Sequence, residues 1–73
     1  MKYMTDKTSL RIMGKIKQAR LKNGLTQSAL AQKAGINSNY YAKLERGEIK
    51  LSVGNLKNII NALSIKSSDV LDF

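Results

Sequence analysis

The stretch Gly24-Leu25-Thr26-Gln27-Ser28-Ala29-Leu30-Ala31-Gln32-Lys33-Ala34-Gly35-Ile36-Asn37-Ser38-Asn39-Tyr40-Tyr41-Ala42-Lys43-Leu44-Glu45-Arg46-Gly47 decides the fold. Thr26 suits an N-cap, its hydroxyl accepting from orphan amides of a helix over residues 27–34 whose inner face is Leu30, Ala31 and Ala34. Gly35 supplies the left-handed stop, and Ile36 is expected to be buried. Asn37 is a second N-cap, opening a helix over residues 38–46 that Gly47 ends. Within it Tyr41 and Leu44 stand three apart and face inward, while Ser38, Asn39, Tyr40 and Lys43 point mostly elsewhere. Two short helices joined by so tight a turn cross closely, and the small side chain of Ala31 lets their backbones approach. The spacing matches a helix-turn-helix, whose second helix enters the DNA major groove while the first crosses the backbone.

Outward from this pair, Ile12, Ile16, Ala19 and Arg20 form one stripe of an earlier helix, from about Ser9 to Asn23, with Gly24 as its stop. Gly14 weakens that helix by up to about 1 kcal/mol relative to alanine. On the other side, Ser52 caps a fourth helix over residues 53–63, with Leu56, Ile59, Ile60 and Leu63 at helical spacing. Ser67 or Ser68 then caps a last short turn carrying Val70 and Leu71. Residues 1–8 are polar, stripe-free and terminal, and read as a flexible arm. The expectation is an all-α chain: a compact bundle of four to five helices in a single domain over residues 9–73, its links too short for a second domain.

Composition narrows the function. The chain has 73 residues, 13 Lys and Arg against 5 Asp and Glu, a net charge of +8, and no Cys or His. Thiolate chemistry is excluded, and the commonest metal ligand and general base are both missing. The acids Asp6, Glu45, Glu48, Asp69 and Asp72 are too scattered for a carboxylate dyad. We therefore expect no enzyme, no metal and no cofactor. No stretch approaches the roughly 18 apolar residues that span a bilayer, and no apolar run follows the first residues to act as a signal. A cytoplasmic, membrane-independent protein without a small-molecule ligand is expected. Residues 1–34 hold eight bases and one acid, for +7, and residues 35–73 five bases and four acids, for +1. A polyanion is the first partner to test.

The residues Gly24-Leu25-Thr26-Gln27, Leu30-Ala31, Ala34-Gly35-Ile36, Leu44-Glu45-Arg46-Gly47 and Ala62-Leu63 together resemble the phage-repressor and Cro-like helix-turn-helix domains, the lambda-repressor-like fold of bacterial transcriptional regulators. The resemblance covers about residues 10–72. More narrowly, the lack of an effector domain and the run Leu51-Ser52 resemble the small controller proteins of restriction–modification systems. The resemblance implies sequence-specific binding to double-stranded DNA, as a homodimer on a palindromic operator. It implies DNA contacts from Thr26 and Gln27, the latter on a phosphate; base-facing positions at Ser38, Asn39 and Tyr40; a guanine or phosphate contact from Lys43; and backbone contacts from Arg46 and Lys50. It also implies a partly buried ion pair between Arg20 and Glu45 that orients the recognition helix.

Three positions depart from the family pattern. Leu51 stands where a proline is usual, Ile60 where a small residue is usual, and Ser64 where a glycine usually provides the left-handed cap. An apolar Leu51 in a loop expected to be exposed suggests cover by a partner subunit; Leu51, Val53, Val70, Leu71 and Phe73 are the candidate dimer contacts, with closure of the core the alternative role for Val70 and Leu71. Two other functions compete. One is an antitoxin or other protein-interaction module on a helix-turn-helix scaffold; the other is a nonspecific binder of RNA or anionic membrane, disfavoured by four aromatics and a first helix whose apolar stripe is needed in the core.

Overall fold

The computed structural model describes residues 6–64, which form four helices and, among the described residues, no β-sheet. Helix α1 spans Asp6–Lys22, α2 Gln27–Ala34, α3 Ser38–Arg46 and α4 Val53–Leu63. The bounds of α2, α3 and α4 coincide with those read from caps and periodicity. Helix α1 begins three residues earlier than expected, so residues 6–8 are helix rather than arm, with Asp6 placed favourably in the positive first turn. Residues 1–5, the expected last turn after Ser67 or Ser68, and the contacts expected of Val70, Leu71 and Phe73 lie outside the described residues.

The caps explain the boundaries. Thr26 Oγ1 accepts from the Ala29 amide at 3.0 Å, Asn37 Oδ1 from Asn39 and Tyr40 at 2.9 and 3.1 Å, and Ser52 Oγ from Asn55 at 3.1 Å. Each satisfies amides that have no partner within their own helix. At the other ends Gly35, Gly47 and Ser64 all take the left-handed conformation. Ser64 at φ 56° does so without glycine, and its amide still reaches the Asn61 carbonyl at 3.1 Å, so the family's glycine is dispensable here. Gly47 is less replaceable: at φ +77° a side chain is strained, and a Cβ there would also push aside the exposed end of Leu10 of α1.

Helix α2 packs on α3 and α4, and α1 packs on α3. The core comprises Ile12, Met13 and Ile16 of α1, Leu30, Ala31 and Ala34 of α2, Tyr41 and Leu44 of α3, and Leu56, Ile59, Ile60 and Leu63 of α4, together with Leu51. Met13 joins the predicted stripe of α1, whereas Ala19 lies at its edge. Ile36 is half-buried against the core rather than enclosed. Ala31 is fully buried, as the close crossing of α2 with its neighbours demands.

Leu51 corrects the sequence expectation. It is 0% exposed and belongs to the core, not to a partner contact. Its amide, which a proline would lack, donates to Ser9 Oγ of α1 at 2.9 Å in a buried hydrogen bond. Leucine at this position therefore requires an acceptor, and the first turns of α1 supply it. Leu51→Ala should lower the unfolding free energy by roughly 2–5 kcal/mol in a denaturant titration. Ser9→Ala, which strands the buried amide, should cost about 1–3 kcal/mol.

Candidate DNA-recognition site

Arg20 lies near the end of α1 on its buried stripe, and Glu45 lies in the last turns of α3. Arg20 Nε donates to Glu45 Oε2 at 2.7 Å and Nη2 donates to Oε1 at 3.1 Å, so the pair is bidentate, with side chains only 9% and 3% exposed. The remaining Nη1 donates to the Leu25 carbonyl at 2.8 Å, in the turn between α1 and α2. Gln27, the first residue of α2, donates Nε2 to Glu45 Oε1 at 3.1 Å. One carboxylate thus joins α1, α2 and α3 as the resemblance implied for the pair, and Gln27 is an additional member.

Burial pushes the Glu45 carboxyl upward, but hydrogen bonds from Arg20 and Gln27, with the neighbouring Tyr41 phenol, outweigh it and hold the group below its ordinary value of 4.5. The Glu45 hydrogen bond chiefly raises the Arg20 value. Tyr41 is fully buried beside this pair, and desolvation first, then Glu45, push its phenol well above the ordinary range. Its hydroxyl is enclosed without a well-formed hydrogen bond, so Tyr41 serves as core rather than contact.

The outer surface of α3 is different. Asn39, Lys43 and Arg46 are exposed, and Ser38 and Tyr40 are half-exposed. Ser38 lies 3.3 Å from Ser28 on α2, oxygen to oxygen, so the first turns of α2 and α3 adjoin. The N-capping of α3 by Asn37 presents Asn39 and Tyr40 at the electropositive end of the helix. At its C-terminus Arg46 pairs with Glu48, and beyond it Lys50 lies 3.8 Å from Asp6 of α1. Arg46 holds the exposed Glu48 carboxyl below its ordinary range. Lys43 is the only residue among the expected contacts Lys43, Arg46 and Lys50 for which no ion pair is formed with the described acids.

The predicted contacts therefore divide. Ser38, Asn39, Tyr40 and Lys43 share the α3 surface, with Arg46 and Lys50 at its far end. Thr26 spends its oxygen on the α2 cap, and Gln27 directs its amide nitrogen inward to Glu45, leaving its carbonyl oxygen outside that bond. A residue that sequence reasoning passed over is Asn55 of α4, whose Nδ2 donates to the Tyr40 hydroxyl at 3.0 Å. The signal for its backbone position was present in Ser52-Val53-Gly54-Asn55, but not for the reach across to α3. Among the described residues no cluster suited to a metal occurs, and no helix is long and apolar enough to cross a membrane.

Known proteins resemble this chain in sequence and fold. Residues 16–70 match the family described as helix-turn-helix. Control protein C.BamHI of Bacillus amyloliquefaciens is 34% identical over 71 residues, which cover 96% of this chain and 88% of that protein. The crystal structure of the restriction-modification controller protein C.Esp1396I is similar at a TM-score of 0.80 and 28% identity, over 84% of this chain and 79% of its own. The controller protein C.AhdI from Aeromonas hydrophila is similar at a TM-score of 0.80 and 25% identity, over 86% and 96%. The clp gene regulator ClgR from Corynebacterium glutamicum has a TM-score of 0.82 and 26% identity, over 89% and 69%.

Removing one member of the buried pair strands the other. Glu45→Leu or Arg20→Met alone should cost roughly 3–5 kcal/mol, and the double replacement less than either, measured by denaturant unfolding. Because the folded Glu45 value is depressed, its stabilisation is complete above the ordinary 4.5 and fades as pH falls through the lower folded value. Acid titration of the unfolding free energy should show a loss below about pH 4.5 that Glu45→Gln diminishes.

Proposed function

We propose, on the premise that the chain belongs to the helix-turn-helix family and is a DNA-binding transcriptional regulator, that it acts as a homodimer on a palindromic operator and controls a restriction–modification system. The observation that carries this is the exposed surface of Ser38, Asn39, Tyr40 and Lys43 on a helix that a buried ion pair fixes to the rest of the domain. Such a helix presents side chains to base edges at a fixed angle, which sequence recognition requires. Asn39 suits adenine, whose amine and ring nitrogen an amide meets bidentately. Lys43 reaches a guanine edge or a phosphate. Gln27, with its amide nitrogen on Glu45 and its carbonyl oxygen outside that bond, sits where α2 meets the DNA backbone, and the exposed Thr26 lies beside it.

Arg46 and Lys50 serve the phosphates flanking the contacted bases. Their present partners, Glu48 and Asp6, are exposed, so phosphate competes with them at little cost. A single domain makes few phosphate contacts, and two domains reading half-sites about 34 Å apart supply the rest. Of the expected subunit contacts, Val53 at the start of α4 is described and 44% exposed, with Val70, Leu71 and Phe73 beyond it in sequence. The likeness to the restriction-modification controller proteins C.Esp1396I and C.AhdI supports the assignment to restriction–modification control. We assign the chain a role in the bacterial cytoplasm, with no catalysis, cofactor, small-molecule ligand or membrane partner.

Selection of binding sites from a random duplex pool tests this directly. A palindromic consensus is expected, and no enrichment would transfer the function to a protein-interaction module such as an antitoxin. With roughly 6–10 phosphate contacts per dimer, log K should fall with log salt at a slope of about −5 to −9. Asn39→Ala should cost about 1–3 kcal/mol of discrimination between the consensus and a site changed at the base it reads. Lys50→Ala should weaken all duplexes alike and reduce the salt slope by about one.

A further inference from the structure

The Tyr40 hydroxyl is not free to turn. Tyr40 occupies the third position of α3, where its amide donates to the Asn37 cap at 3.1 Å. Asn55 occupies the third position of α4, where its amide donates to the Ser52 cap at 3.1 Å. Two capped first turns thus face each other, and Asn55 Nδ2 closes the gap by donating to Tyr40 Oη at 3.0 Å. The Tyr40 ring is packed against the core, and both residues are only half-exposed, so neither end of this bond swings on a loose stem.

A phenol hydroxyl lies near the ring plane, with one direction for its proton and another for an accepted hydrogen bond. Asn55 occupies the accepting direction. The proton is then directed away from α4, and a phenol that accepts one hydrogen bond donates a stronger one. We infer that Asn55, a residue of α4 outside the helix-turn-helix, positions Tyr40 as a hydrogen-bond donor toward DNA and so helps set operator specificity. Tyr40 then selects an acceptor, such as guanine O6 or N7 or thymine O4, over an exocyclic amine. Asn55 acts through Tyr40 and need not touch DNA. The inference rests on Tyr40 facing DNA, as proposed above.

Site selection from a random duplex pool, run in parallel on the full chain and on Tyr40→Phe, Asn55→Ala and Asn55→Asp, tests it. Tyr40→Phe and Asn55→Ala are expected to relax the same consensus position. Each should lower affinity for the wild-type consensus duplex by about three- to tenfold, the loss of one hydrogen bond. The double variant should lose no more than Tyr40→Phe alone, since the two groups act as one. Asn55→Asp, whose carboxylate only accepts, should capture the phenol proton and lose the preference for an acceptor at that position.

Unchanged selectivity and affinity in Asn55→Ala, with Tyr40→Phe relaxed, would overturn the positioning role and leave the Tyr40 contact standing. Additive losses would also overturn it, because Asn55 would then act independently. An unaffected Tyr40→Phe variant, or a wild-type chain that enriches no sequence, overturns both the inference and the Tyr40 contact. Helical circular dichroism and the thermal midpoint are measured for every variant, and Asn55→Ser, which keeps a short polar side chain beside the Ser52 cap, replaces Asn55→Ala if the latter is not folded.

Discussion

The rest of the molecule depends on the Arg20–Glu45 pair. Helix α3 is nine residues long, too short to persist alone in water, and only Tyr41 and Leu44 are buried in it. Apolar contact from two side chains sets depth but leaves rotation about the helix axis loosely determined. A bidentate guanidinium–carboxylate contact is directional, so it fixes that rotation and with it the side of α3 that meets solvent. The third guanidinium donor on Leu25 and the Gln27 amide carry the same constraint into the α1–α2 turn and the first turn of α2. A change at the end of α1 therefore reaches the exposed face of α3 without any direct contact with it.

The remaining supports are hydrogen bonds that end helices or replace missing ones. Asn37 and Ser52 fix the starts of α3 and α4, and those two starts are where Tyr40 and Asn55 meet. Ser9 does the comparable task at Leu51, supplying an acceptor for an amide that the family's usual proline would not carry. In a domain of this size few apolar residues are available, so each satisfied polar group inside it matters more. Tyr41 is the exception, its hydroxyl enclosed beside the Glu45 carboxylate without a well-formed hydrogen bond.

Charge is arranged in two ways. The excess of bases in residues 1–34 gives a general attraction to polyanions, whereas the expected reading surface on α3 contributes mainly amide and hydroxyl groups with Lys43. At its far end Arg46 and Lys50 are paired with the exposed Glu48 and Asp6, which lowers the free cationic charge there. The excess positive charge and the proposed base-reading groups thus lie on largely different residues.

The sequence alone determined the local structure. Threonine, asparagine and serine at the helix starts, glycine at two stops and apolar residues at helical spacing set the bounds of α2, α3 and α4, because caps and periodicity act over a few residues. The same logic identified the exposed positions of α3, and the family resemblance implied the Arg20–Glu45 pair. It misjudged Leu51 and left Asn55 unmarked, since both depend on residues distant in the chain: Ser9 lies 42 positions before Leu51, and Tyr40 lies 15 before Asn55. Whether an apolar loop residue points inward, and which hydroxyl an exposed amide meets, follows from how helices pack. Packing is set by the sum of all contacts, so only the tertiary structure decided that Leu51 is core and that α4 reaches the recognition helix.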